Sequence, residues 1–191
     1  MSITSPPNRS RRWLALCAVL RLLCLIGTGA IPDLAAPERN RPITASEVEA
    51  AFLLNFAKFV EWPRPPENRP KTSFSICILG EDPFRATLDQ LVSGETVNGR
   101  PLIVKRIEKL PSDCDVLFVA QSELDLAGLL KQAGPGMLTV GESPEFLKAG
   151  GMINFVIEGR RVRFDVNRAS AERAGLQLSS RLLGVARNVL K

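Results

Sequence analysis

Phe74-Ser75-Ile76-Cys77-Ile78-Leu79-Gly80 is the stretch on which the fold turns. Six β-prone, mostly apolar residues closed by a glycine read as a strand buried on both faces, the kind that parallel sheets place beneath two layers of helices. Downstream, Asp82-Pro83 predicts a short helix, with Asp as cap and Pro in its first turn, and with Phe84, Leu88, Leu91 and Val92 as its apolar face. Asn98-Gly99 predicts a turn, Leu102 to Ile107 a second strand, and Val116 to Ala120 a third, with Cys114 just before it. Ser122 predicts the cap of a helix over 123–132 that Gly134-Pro135-Gly136 ends. Met137 to Val140 reads as a strand, and Ser143-Pro144 as the start of a short helix stopped by Gly150-Gly151. Met152 to Ile157 and Val162 to Val166 flank Glu158-Gly159-Arg160-Arg161, which predicts an antiparallel hairpin. The remainder, with Leu176, Leu178, Leu182, Leu183, Val185, Ala186 and Val189, predicts terminal helices.

Upstream of the strand, Ser46 and Glu49 have the spacing of a capping box. The helix they open carries Val48, Phe52, Phe56, Phe59 and Val60 at intervals of three and four, and Pro63 ends it. Arg64 to Pro70 is proline-rich and polar, a surface loop. Alternating helices and strands followed by a hairpin predict one α/β domain: a mixed β-sheet flanked by helices, a Rossmann-like three-layer sandwich.

The 191 residues, 45% hydrophobic and 24% charged, suit a single globular domain. The first 36 read differently. Arg9, Arg11 and Arg12 precede an apolar run from Trp13 to Ile26 that Arg21 interrupts, too short to span a membrane and arranged like a cleavable export signal. An uncleaved N-terminal anchor is the competing reading. Leu16 before Cys17 and Leu23 before Cys24 argue against lipidation. The expected division is therefore a signal peptide over 1–36, a linker over 37–45 and a domain over 46–191. Removing 1–36 takes away four arginines and Asp33, so the net charge falls from +5 to +2, and the case for nucleic-acid binding falls with it. Cys77 and Cys114 then remain as an even pair, which in an oxidising compartment forms one disulfide; the alternative is two buried free thiols.

Chemistry is sparse. With no histidine there is no Ser-His-Asp or Cys-His nucleophile, and two cysteines cannot build a four-thiolate metal site. Glu81-Asp82 and Asp113 read as caps and strand-end charges. No glycine-rich turn has dinucleotide or phosphate-loop spacing. No enzyme, cofactor or metal is expected. Arg160, Arg161 and Arg163 cluster at the hairpin, where they either guard a sheet edge or contact an anion. Trp62 either anchors an interface or caps the core beside Phe59.

Several segments together resemble the YfiR family of periplasmic proteins, from about Glu47 to Val189. They are Ala51 through Pro63 (AFLLNFAKFVEWP), Ile76-Cys77-Ile78-Leu79-Gly80, Cys114 through Val119, Gly150 through Phe155, Arg163-Phe164-Asp165-Val166-Asn167, and Leu178 through Leu183. The resemblance implies an exported, periplasmic regulator that dimerises and restrains an inner-membrane diguanylate cyclase by binding its periplasmic part, so that cyclic di-GMP and biofilm formation follow indirectly. A sensor kinase in the cyclase's place and an outer-membrane lipoprotein are further implied partners. It also implies a Cys77–Cys114 bridge, while a second cysteine pair, expected near Gly150-Gly151, has no counterpart here. Candidate contact residues are Trp62, Arg163, Asn167, Ser179, Ser180 and Arg181. The competing reading is a small-molecule sensor, with Arg163 and Ser179-Ser180 forming a pocket for an anionic or amino-acid ligand.

Overall fold

Thr44 opens the first helix, α1 (Ala45–Phe59): its Oγ1 accepts from the Glu47 backbone N–H at 3.3 Å while the Glu47 carboxylate accepts from the Thr44 N–H at 2.8 Å. The capping box thus lies two residues before the expected Ser46–Glu49 pair, because Glu49 is drawn inward and is only 5% exposed. That shift rotates the buried face. Glu49, Ala50, Leu53, Phe56 and Ala57 point in, and Phe59 is left 37% exposed. The helix stops at Phe59, before Pro63, since Val60–Glu61 (β1) leaves it to pair antiparallel with Gln177–Leu178 (β9).

The computed structural model describes residues 41–63, 72–111 and 113–191. The signal segment, the linker up to residue 40 and the 64–70 loop lie outside them. Residues 42–191 form one compact unit. After β1 come β2 (Phe74–Leu79), α2 (Ala86–Val92), β3 (Thr96–Val97), β4 (Arg100–Ile107), β5 (Val116–Val119), α3 (Leu126–Gln132), β6 (Leu138–Gly141), β7 (Ile153–Glu158), β8 (Arg161–Asn167), α4 (Arg168–Arg173), β9, α5 (Ser180–Val185) and β10 (Asn188–Leu190).

The eight-stranded sheet runs β10-β8-β7-β6-β5-β2-β4-β3, with β4, β2, β5, β6 and β7 parallel. The β7–β8 hairpin is antiparallel, so the sheet is mixed as expected. Because strand side chains alternate, Phe74, Ile76 and Ile78 face one core with Val116 and Phe118, while Cys77 and Leu79 face another with Leu117 and Val119. The first core takes α1, α2 and α5; the second takes Leu126, Leu129 and Leu130 of α3 together with Phe146. Helix, sheet and helix therefore form the three layers of an α/β domain.

Several boundaries differ from expectation for local reasons. The Asp82 carboxylate accepts from the Phe84 and Arg85 N–H groups at 2.7 and 3.2 Å, making a turn, and α2 starts only at Ala86. Ser122 is not a helix cap. Its Oγ accepts from the Glu81 N–H at 3.2 Å, where Gly80 at φ +88° lets the end of β2 approach, and Asp125 caps α3 instead. Residues 143–150 form successive hydrogen-bonded turns rather than a helix. The expected terminal helices are broken twice: Gln177–Leu178 pairs with β1, and Asn188–Leu190 lies parallel to Asp165–Asn167 as an edge strand.

Candidate functional site

Cys77, in the middle of β2, and Cys114, two residues before β5, are joined by a disulfide with Cα atoms 6.0 Å apart, which excludes the free-thiol alternative. Both are at most 2% exposed. The approach to β5 is braced beside the bridge. Asp115, 4% exposed, accepts from the Ser75 N–H at 2.9 Å and from Arg100 at 3.2 Å, and the Arg100 guanidinium lies 4.9 Å over the Phe74 ring. Lys105 pairs with Asp113 at 2.6 Å. This half of the sheet is a fixed frame, with its charges committed to one another.

The residues singled out in the sequence disperse over the fold. Trp62 donates its indole N–H to the Ala57 carbonyl at 3.0 Å and packs edge-on against Phe74, 4.9 Å between centroids, so it caps the main core against Phe74 rather than Phe59. Asn167 caps α4, accepting from the Ser170 N–H at 3.0 Å, and Ser179 caps α5, accepting from the Leu182 N–H at 3.3 Å. Ser180 is exposed at the start of α5, and the Arg181 guanidinium sits 5.8 Å over the Phe59 ring. Arg163 belongs elsewhere, on the β7–β8 hairpin.

There, Arg160, Arg161 and Arg163 line a groove of about 630 Å3 with Thr44, Val48 and Phe52 of the α1 end. Neither Ser179 nor Ser180 lines it. None of the three arginines has an ion-pair partner among the described residues. Around them, large apolar side chains face water: Ile43 at 77%, Ile157 at 64% and Val185 at 59% exposure. Gly159 and Arg160, at φ +53° and +67°, turn the chain tightly enough to set Arg161 opposite Glu158 and Arg163 opposite Val156. The surface is cationic and apolar at once.

On the far side of Ile157 the sheet opens into a cleft that sequence reasoning did not find. β7 pairs with β6 only at Ile153 and Asn154, then runs on beside β8 alone, leaving a space of about 560 Å3. Gln121 and Glu142, just past the carboxyl ends of β5 and β6, line it with Glu49 of α1, Asn154, Asp165 and Arg187. In open α/β sheets such crevices at the carboxyl ends of parallel strands are where ligands bind. Burial, and after it the like charge of Glu142, pushes the Glu49 carboxyl up to about 7. Arg187 grips Asp165 through two hydrogen bonds of 2.9 and 2.6 Å and holds that carboxyl below its usual range. A signal for Glu49 did exist, a carboxylate falling among Ala50, Leu53 and Phe56 on the inward face, but the misplaced cap concealed it.

A family model described as YfiR/HmsC-like matches residues 46–187. Among solved structures, a conserved domain protein from Vibrio cholerae O1 biovar El Tor is similar at 10% identity with a TM-score of 0.49, over 77% of this chain. The chain spans 60% of that structure's length.

Proposed function

The chain belongs to the YfiR/HmsC-like family, and from that premise we propose that it is a binding protein that holds an inner-membrane diguanylate cyclase inactive by contacting its periplasmic part. The family is one of periplasmic regulators of cyclic di-GMP signalling, regulatory rather than catalytic. A disulfide and the lack, among the described residues, of any helix long and apolar enough to cross a membrane fit an exported protein. The observation that carries the docking reading is the hairpin surface, where three arginines without an ion-pair partner among the described residues are set among exposed Ile43, Ile157 and Val185. Such a patch suits an acidic partner segment with an apolar face, because arginines make charge-assisted bonds to carboxylates while the aliphatic groups leave water. Three like charges disfavour self-pairing of this face, so the homodimer that this reading includes uses another surface. An outer-membrane lipoprotein is a further partner in this reading.

The test is co-purification of the full chain from membranes, beside cyclic di-GMP measurement in a deletion strain. Deletion is expected to raise cyclic di-GMP. Arg160→Glu with Arg161→Glu, both exposed, is expected to weaken capture of the cyclase at least tenfold while leaving the thermal midpoint within about 2 °C, since exposed charge changes seldom alter stability by more than about 0.5 kcal/mol. Unchanged cyclic di-GMP on deletion, or undiminished capture by the double variant, refutes the reading.

A further inference from the structure

Glu49 and Asn154 face the cleft beside β7 and are 5% and 6% exposed, yet neither is satisfied by the fold. Among the described residues Glu49 has no hydrogen-bond or ion-pair partner. Asn154 donates its Nδ2 to the Phe155 carbonyl at 3.1 Å, which fixes the amide's orientation, because that carbonyl can only accept; Oδ1 is then left buried with no partner. Glu142 uses Oε1 to accept from the Gln121 N–H at 3.0 Å and keeps its other oxygen. Every one of these unused groups is an acceptor. A buried acceptor without a donor, as Asn154 Oδ1 is, is costly, and the carboxylates of Glu49 and Glu142 line the same space.

The cations on the walls are already engaged. Arg187 holds Asp165 at 2.6 Å and lies 3.8 Å from Glu158, and Lys148 pairs with Glu145 at 3.0 Å. Both wall cations are thus paired with carboxylates, while Glu49, Glu142 and Asn154 keep acceptor capacity without a donor among the described residues. Among the described residues no group of three or more His, Cys, Asp or Glu is placed to hold a metal ion, which turns the donor away from a divalent cation. The rest of the wall, including Leu147, Phe155, Val156 and Ile157, is apolar.

We propose that this cleft binds an organic cation, a primary ammonium on an apolar body with no carboxylate. The ammonium's three donors match the acceptors of Glu49, Asn154 and Glu142, and the body lies along Phe155 and Ile157. This goes beyond the partner reading and does not depend on it. The space adjoins the docking face at Ile157, which lines both.

Titration calorimetry of the full chain with phenethylamine, L-phenylalanine and calcium chloride tests the assignment, because the first two share one apolar body and differ by a carboxylate. Phenethylamine is expected to bind at least tenfold more tightly than phenylalanine, and calcium not to compete. Glu49→Gln and Asn154→Ala are each expected to weaken phenethylamine tenfold or more. Glu49→Gln removes a buried charge and so keeps the fold, leaving the test valid should Asn154→Ala unfold. Affinity should also fall about tenfold from pH 8 to pH 6 as Glu49 takes up its proton; the charged groups that share the cleft or its rim with it are Glu142, Asp165, Glu158, Lys148 and Arg187. No phenethylamine binding, equal or tighter binding of phenylalanine, displacement by calcium, or an unaffected Glu49→Gln variant would each overturn it. Capture of a membrane cyclase is read separately, so the two ideas fail independently.

Discussion

Glu49 shows how one side chain carries opposite consequences for stability and for binding. Its carboxyl sits at about 7 in the folded protein against 4.5 in an unfolded chain, because burial and Glu142 both disfavour its charge. The folded state thus holds more protons than the unfolded state between those values, so this group makes stability fall as pH rises from about 4.5 to 7 and leaves it level above. Glu49→Gln removes the effect. Urea unfolding at pH 8 should find the variant more stable than wild type by about 2–3 kcal/mol, and at pH 4.5 the two should coincide within about 0.5 kcal/mol. A variant that is less stable at pH 8 would mean that the carboxylate has a stabilising partner. Such a cost is retained in folded proteins chiefly where a charge is used.

At the scale of elements, the 143–150 turns act as a plug whose seat is made by glycines. The Phe146 ring lies where a Cβ on Gly141 of β6 or on Gly151 would have to go, and both positions would overlap it. Gly141→Ala should therefore push Phe146 out of the second core and cost about 1–3 kcal/mol, read as a drop in the urea midpoint with an unchanged slope. Gly134→Ala, with no heavy atom within 4 Å of the new Cβ, serves as the neutral comparison. A Gly141→Ala loss no larger than that of Gly134→Ala would show the plug to be loose. Elements of this sort were partly legible in the sequence. The strands at 74–79, 116–119 and 153–158 were readable because short β-prone runs dominated by Val, Ile, Leu and Phe look alike wherever they occur. The hairpin was readable from Gly159 and the turn from the pair Asn98-Gly99, residue types that tolerate the positive φ of 51° and 75° they adopt. Asn188–Leu190 was not legible as a strand: its three residues are exposed, and only the pairing with Asp165–Asn167 and the Arg187–Asp165 bond make them extended. Long-range contacts overrode a local helical pattern there, as they did at Leu178. The cleft escaped the sequence for a similar reason, because it exists only where β7 outruns β6, a matter of register that residue types do not record.

For the whole molecule, the decisive covalent fact is a bridge in the middle of the sheet instead of at its rim. Cys77 lies on β2 between β4 and β5, and the bond closes a sequence separation of 37 residues that contains α2, β3 and β4. In the chain-entropy picture a loop of that size restricts the unfolded ensemble by about 3–4 kcal/mol. Small domains have only about 5–15 kcal/mol of net stability, so one bond supplies a large share of the margin. Reducing the wild-type protein opens the loop without changing core volume, whereas Cys77→Ala with Cys114→Ala also leaves space among Leu79, Leu117 and Met137. The reduced protein should accordingly lose about 3–4 kcal/mol and the double variant somewhat more, each measured by urea unfolding with and without reductant. A loss under about 1 kcal/mol on reduction would mean that the Asp115–Ser75–Arg100 contacts and the parallel pairing of β2 with β5 hold that region alone. With the larger loss, a domain at the low end of that range keeps only a small margin in a reducing compartment, and its fold is secure where the bridge can form.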